Sequence, residues 1–246
     1  MSPPAHAGSD AFLTTRWSLV LKAGDAGAAE AESRAALESL CHSYWQPLYF
    51  FARRQGHGPE AAEDFTQDLF ALLAAGDVLH RVRPERGKFR SYLLGMMKNV
   101  IAQARDREAA AKRGGRAVKL SLDCMEAEER YRLCPADHES PEVIFDRLWA
   151  QTVMARTVER LAADYAAAGH AERFSVLKDF LLTGKQETSG AAAAAALGMS
   201  DAALRSAIFK LRQRFAAALR AEVSGTVSSE SEAEEELRHL ARMLGA

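Results

Sequence analysis

This sequence predicts an all-helical protein built as two helical domains joined by a linker. Glycine is rare inside the long periodic stretches, alanine is abundant, and no segment sustains the apolar–polar alternation of a half-buried strand. The two-domain division comes from residues 116–141, where Pro135, Pro141 and scattered charge interrupt the helical period. With 246 residues, 48% of them hydrophobic and 26% charged, the chain can bury a core.

At the start, Thr14 and Thr15 can cap a short helix carrying Trp17, Leu19, Val20 and Leu21 that ends near Gly24. A longer helix follows from about Ala28. Its residues Leu37, Leu40, Cys41, Tyr44, Trp45, Leu48 and Phe51 recur at three and four and mark a buried face. Gly56-His57-Gly58-Pro59 breaks that pattern, and Pro59 opens the next helix, through Ala61, Phe65, Leu69, Leu72 and Leu73 to Gly76-Asp77. After Pro84 and Gly87, Phe89 opens a helix through Leu93, Met96, Val100 and Ile101 to Lys112, stopped by Gly114-Gly115. The linker holds at most short helical pieces. Beyond it Val143, Leu148, Val153, Val158 and Leu161 resume the period, Gly169 breaks it, and Phe174, Leu177, Phe180 and Leu181 continue it to Gly184. A final helical pair follows.

The net charge of -1 hides blocks of opposite sign. From Arg81 to Arg116 there are eleven Lys or Arg against Glu85, Asp106 and Glu108, with Phe89 and Tyr92 among them. Cations interleaved with aromatics suit a single nucleic-acid strand, whose bases stack while its phosphates are neutralised; a charged helical surface is the plainer reading. Just upstream, Glu60, Glu63, Asp64, Gln67 and Asp68 line an acidic-polar helix surface, which suggests a different partner from that of the basic block. Cys41, Cys124 and Cys134 form an odd set without a CxxC pair, which fits a reducing cytoplasm. The first ten residues lack the pattern of a secretion signal, and no run of about 18 apolar residues predicts membrane insertion.

The sharpest local pattern is Ala194, Gly198 and Leu204, with Ala193, Leu197 and Ala207 at accompanying small or apolar positions. This is helix-turn-helix spacing: the small Ala194 admits a close helix, Gly198 supplies a positive φ, and Leu204 locks the second helix onto the first. Ser200 is placed to cap that second helix. There Leu204, Ile208, Leu211, Phe215 and Leu219 form an apolar stripe, leaving Ala202, Ser206, Phe209 and Gln213 opposite, flanked by Arg205, Lys210, Arg212 and Arg214. Such a face suits a DNA major groove, with Arg reading guanine, Ser either base edge, Phe a thymine methyl, and the other cations holding phosphates. An ordinary alanine-rich hairpin with a solvated face is the bland alternative, against which the outward Phe209 weighs.

Taken in order, these segments resemble the sigma-70 family, and within it the two-region extracytoplasmic-function subgroup, from Thr14 to Glu222. Glu63-Asp64-Phe65-Thr66-Gln67-Asp68-Leu69-Phe70 resembles region 2.2, which in the family docks on the clamp helices of the polymerase beta-prime subunit. The resemblance gives that role to Glu63, Asp64, Gln67, Asp68 and Phe70. Phe89-Arg90-Ser91-Tyr92-Leu93 with Asn99 resembles region 2.3, so the loop Pro84, Glu85, Arg86, Gly87 and Lys88, together with Phe89, Tyr92 and Asn99, would meet the melted minus-10 element. Lys98, Arg105 and Arg107 would contact its backbone. Leu197 through Arg212 is similar to region 4, which reads the minus-35 element, implicating Ser200, Ala202, Arg205, Ser206, Phe209, Lys210, Arg212, Gln213 and Arg214. Two departures affect that last role: Ala207 stands where the family often has Arg, and Ala191 to Ala196 replace polar residues.

The implied organisation is an extension over 1–27, region 2 over 28–115, the linker over 116–141, region 4 over 142–222 and an acidic extension over 223–246. Core RNA polymerase (beta-prime clamp and beta flap) and promoter DNA are the implied partners, with room for an anti-sigma protein. No phosphate-binding Gly loop, nucleophile elbow or HExxH pair appears, so no enzyme is expected. Cys124, Cys134 and His138 lack the fourth ligand of a structural zinc site, and neither metal nor cofactor is expected. Two readings compete with the sigma factor: a helix-turn-helix regulator that never touches polymerase, and an interaction protein that sequesters polymerase without reading DNA.

The tail reverses the charge. Glu222, Glu230, Glu232, Glu234, Glu235 and Glu236 face Arg238 and Arg242, while Leu237, Leu240 and Leu244 recur at three and four. A short amphipathic helix, tethered by Ser224 to Ser231, is expected to pack on the second domain and temper its DNA binding.

Overall fold

The computed structural model describes residues 30–75, 88–110, 122–133, 139–182, 190–224, 227 and 229–245. The expected helix around Trp17, the loop residues Pro84 to Gly87, Cys134 and His138 lie outside them. All regular structure among the described residues is helical, in keeping with the sequence. The chain divides into two compact units: the first combines Met1–Gln151 with Ser224–Ala246, and the second is Thr152–Val223.

In the first unit, α1 (Glu30–Arg54) buries Leu40, Tyr44, Leu48 and Phe51 on the expected stripe. Its second half also buries Tyr49, Phe50 and Ala52, so it is covered on several sides, which accounts for its aromatic density. Gly56 at φ 89° turns the chain, and Pro59 starts α2 (Pro59–Ala74), which packs Ala62, Phe65, Leu69 and Leu73 inward. Helix α3 (Phe89–Ala110) buries Phe89, Leu93, Met97, Val100 and Ile101. Met97 takes the core place expected of Met96, because it continues the four-residue step from Phe89 and Leu93.

Residues 116–141, expected to be a linker with at most short helical pieces, include one helix of 12 residues. This is α4 (Leu122–Leu133), held to α1 by a polar contact: Glu128 is 6% exposed and accepts hydrogen bonds from Tyr49 Oη (2.8 Å), Arg53 Nε (2.8 Å) and Arg53 Nη2 (2.9 Å). Helix α5 (Pro141–Ala167) supplies Ile144, Phe145 and Trp149 to the first unit and, beyond Gln151, Leu161 and Tyr165 to the core of the second.

The second unit places α6 (Ala171–Leu177), α7 (Asp179–Leu182), α8 (Gly190–Ala196) and α9 (Asp201–Ser224) around Leu161, Tyr165, Phe174, Phe180, Leu204 and Leu211. The last helix, α10 (Glu230–Met243), belongs to the first unit and not, as expected, to the second. It is N-capped by Ser229, whose Oγ accepts from the Glu232 amide at 3.2 Å. Its buried side is Ala233, Glu236 and Leu240, so one acid of the charge run lies on the packing face.

Candidate nucleic-acid and protein interfaces

Helix α2 turns its apolar residues inward and leaves Glu60, Asp64, Gln67 and Asp68 exposed, with Leu72 one turn beyond Asp68 and 44% exposed. Two of the five expected docking residues are not on this surface. Phe70 is buried, and Glu63 is 3% exposed, where it accepts a hydrogen bond from Gln67 Nε2 at 3.1 Å. Both fall on the apolar stripe that closes the bundle, so Glu63 can act on this face by orienting Gln67. Partial burial, then repulsion from Asp68, Glu63 and Glu60, raises the Asp64 carboxyl above its usual range. A cationic partner would relieve that crowding.

On α3, Phe89 is 1% exposed and meets the Tyr44 ring edge-on at 5.7 Å, which removes it as a base-stacking surface. Tyr92 stacks on it at 6.3 Å and is only partly buried, making Tyr92 the aromatic within reach of a ligand. Asn99 is exposed two turns further on. Lys98 is 48% exposed and pairs with Glu142 of α5 at 2.9 Å; that hydrogen bond, first among its causes, holds the Glu142 carboxyl below its usual range. Arg105 is exposed, with its guanidinium 3.4 Å from His57 Nε2. Of the expected minus-10 loop only Lys88 is described; the Arg107 side chain also lies outside the described set.

A second cluster at the start of α3 was not singled out from the sequence. Arg90 is 8% exposed, and its Nε and Nη2 each donate to Glu236 of α10 at 3.2 Å. Its Nη1 donates to Asp146 of α5, and its guanidinium lies over the Trp149 ring, 4.9 Å from the centroid. Lys88 Nζ reaches Glu236 at 3.0 Å, and His239 Nε2 lies 3.0 Å from Asp146.

In the second unit, α8 ends with Gly198 at φ 61°, Met199 N–H bonded to the Ala194 carbonyl at 2.9 Å, and Gly198 N–H bonded to the Ala195 carbonyl at 3.1 Å. This left-handed cap requires the conformational freedom of glycine. Ser200 Oγ then accepts from the Ala203 amide at 3.3 Å and starts α9, as its position suggested. Leu204, Ala207 and Leu211 are buried, while Ala202, Arg205, Ser206, Lys210 and Gln213 are exposed and Phe209 is 61% exposed. Two of the basic residues have intramolecular partners: Arg212 donates to the Phe180 carbonyl at 3.0 and 3.3 Å, and Arg214 lies 5.4 Å from the Tyr165 ring centroid. The outward surface thus combines cations, a hydroxyl and an unpacked aromatic ring.

No helix among the described residues is long and apolar enough to cross a membrane, and no group of His, Cys, Asp and Glu among them is arranged to hold a metal ion. Burial pushes the Cys41 thiol up to about 11, which disfavours a reactive thiolate.

Neither a curated protein nor a solved structure matches the chain. Residues 40–110, from the buried half of α1 through α2 to the end of α3, match the family model of sigma-70 region 2. The exposed acidic face of α2 and the exposed polar side of α3 therefore lie within the residues that this model matches.

Proposed function

We propose that this chain is a sigma factor of the two-region extracytoplasmic-function type, a non-enzymatic subunit that binds core RNA polymerase, directs it to promoters and helps to melt them. The observation that carries the reading is the order of two features: a sigma-70 region 2 match, and after it a helix-turn-helix whose second helix exposes Arg205, Ser206 and Phe209. Region 2 supports polymerase binding and promoter melting, and a helix-turn-helix supports duplex reading.

On this reading Asp64, Gln67 and Asp68, with Leu72 beside them, meet the beta-prime clamp. Tyr92 stacks against an unpaired base, Asn99 reads a base edge, and Lys98 and Arg105 hold phosphates. On α9, Arg205 is free to take a guanine bidentately, Ser206 either base edge and Phe209 a thymine methyl, while Lys210 and Arg214 hold phosphates. A helix-turn-helix regulator that ignores polymerase leaves the region 2 match without a role. Run-off transcription with core polymerase over a promoter library tests the proposal. Template-specific transcripts that depend on the chain are expected; DNA binding without transcript and without association with core polymerase would favour the regulator.

A further inference from the structure

Glu236 is 1% exposed, yet three donors from two basic residues converge on it: Arg90 Nε and Nη2 at 3.2 Å each and Lys88 Nζ at 3.0 Å. His239, one turn further along α10, closes on Asp146, the second carboxylate around Arg90. The helix thus covers the beginning of α3, inside the basic stretch that would receive an unpaired strand. Formal charge balances across the contact, with Lys88 and Arg90 facing Glu236 and Asp146.

We propose that α10 is an internal competitor of nucleic acid: the Glu236 carboxylate stands where a phosphate of a single strand would otherwise sit, and the strand displaces the helix to reach Lys88. This rests on the reading of α3 as the strand-binding helix. Three properties of the contact support it. A carboxylate and a phosphate oxygen pair offer an arginine fork the same two-pronged acceptor, so one can replace the other. Lys88 keeps 27% of its side chain in solvent, so an anion can approach its Nζ, whose charge Glu236 neutralises in the docked state. Finally, α10 is only 14 residues long and its buried apolar side chains are Ala233 and Leu240, an apolar contact small enough to open without unfolding the unit.

The test uses the full chain and a single-stranded DNA oligonucleotide of mixed sequence, titrated across a series of salt concentrations. Glu236→Gln keeps the shape of the side chain and removes its charge. It should tighten binding several-fold at low salt and steepen the dependence of log affinity on log salt by about 0.7, the increment for one more phosphate contact on a single strand. Adding Lys88→Gln to that variant should abolish both gains. Independently of any substitution, amide hydrogen exchange across 230–243 should quicken when the unmodified chain is saturated with the oligonucleotide.

Unchanged affinity and salt slope in folded Glu236→Gln would overturn the proposal, as would unchanged or slower exchange in 230–243 on saturation. The exchange measurement decides even if the variant fails to fold. Strand binding that is lost in Asn99→Ala but indifferent to Glu236→Gln removes the competitor and leaves the sigma reading standing, whereas no strand binding by either the unmodified chain or Glu236→Gln removes both.

Discussion

Arg53 and Glu128, 75 residues apart in sequence, meet in a two-pronged ion pair, Nε to Oε2 at 2.8 Å and Nη2 to Oε1 at 2.9 Å. Burial opposes ionisation of Glu128, but the hydrogen bonds from Arg53 and Tyr49 outweigh it and hold the carboxyl below its usual range. A carboxylate of this kind contributes stability that is present above the unfolded value of 4.5 and lost as pH falls through the folded one. Glu128→Ala should therefore cost about 2 kcal/mol of stability near neutrality, the scale of a hydrogen bond to a charged group, and the cost should shrink in acid. Urea denaturation of both proteins at two pH values measures it; equal midpoints near neutrality would mean that α4 is held by something else.

Asp64 is the opposite case. Its carboxyl is raised by burial and by neighbouring acids, so its charge opposes folding near neutrality. Asp64→Asn should leave the thermal midpoint unchanged or higher, while Asp64→Arg and Gln67→Ala should weaken capture of core polymerase. Retained capture by both of the latter would remove the docking role from this face.

On the proposed reading, promoter opening depends on the exposed positions of α3 and not on the buried ones. Asn99→Ala and Tyr92→Ala should reduce permanganate reactivity of melted thymines more than they reduce duplex binding. Phe89→Ala should act through stability, costing about 3 kcal/mol or more as a cavity in the core. Equal loss of duplex binding and opening in Asn99→Ala would place its role elsewhere.

On α9, Arg205→Ala and Phe209→Ala should each cost about 1 to 3 kcal/mol at particular minus-35 bases, as direct contacts do. Lys210→Ala and Arg214→Ala should weaken binding evenly across sequences. A binding survey over single-base variants of one promoter separates the two patterns, and uniform effects from all four changes would exclude base reading by Arg205 and Phe209.

His239 has its pKa held below 6.5 by burial first and by Arg90 second, with Asp146 and Glu236 pulling the other way. The docked helix therefore favours the neutral ring. A histidine depressed in this way contributes stability that is complete above its unfolded value and is lost as pH falls from about 6.5 toward the folded value. Melting of the unmodified protein should drop across that window, and His239→Gln should flatten the drop; parallel pH profiles would show that the ring does not couple docking to protons.

Much of this arrangement is legible in the sequence because it is written in apolar spacing. The stripe Leu40, Tyr44, Leu48 and Phe51, the turn at Gly198 and the cap at Ser200 all follow from local rules, and the structure carries each of them. What escapes those rules is packing through charge. Glu128 and Glu236 sit on the buried sides of helices whose other residues are mostly polar, so periodicity assigns them to solvent. Their partners lie 75 and 146 residues away, beyond the reach of any local pattern. The same limit explains Phe89: an aromatic next to cations reads as a stacking surface until Tyr44 is seen to cover it.

The first unit is assembled from two stretches of chain with the second unit encoded between them, and this sets an order of events during synthesis. Arg90 leaves the ribosome 146 residues ahead of Glu236, an interval of roughly 7 to 30 seconds at usual elongation rates. Within that time the residues of the second unit are made in turn, while the cations at the start of α3 have no α10 to meet. A nascent chain thus passes through a stage in which Lys88 and Arg90 are uncovered, and the emergence of α10 ends it.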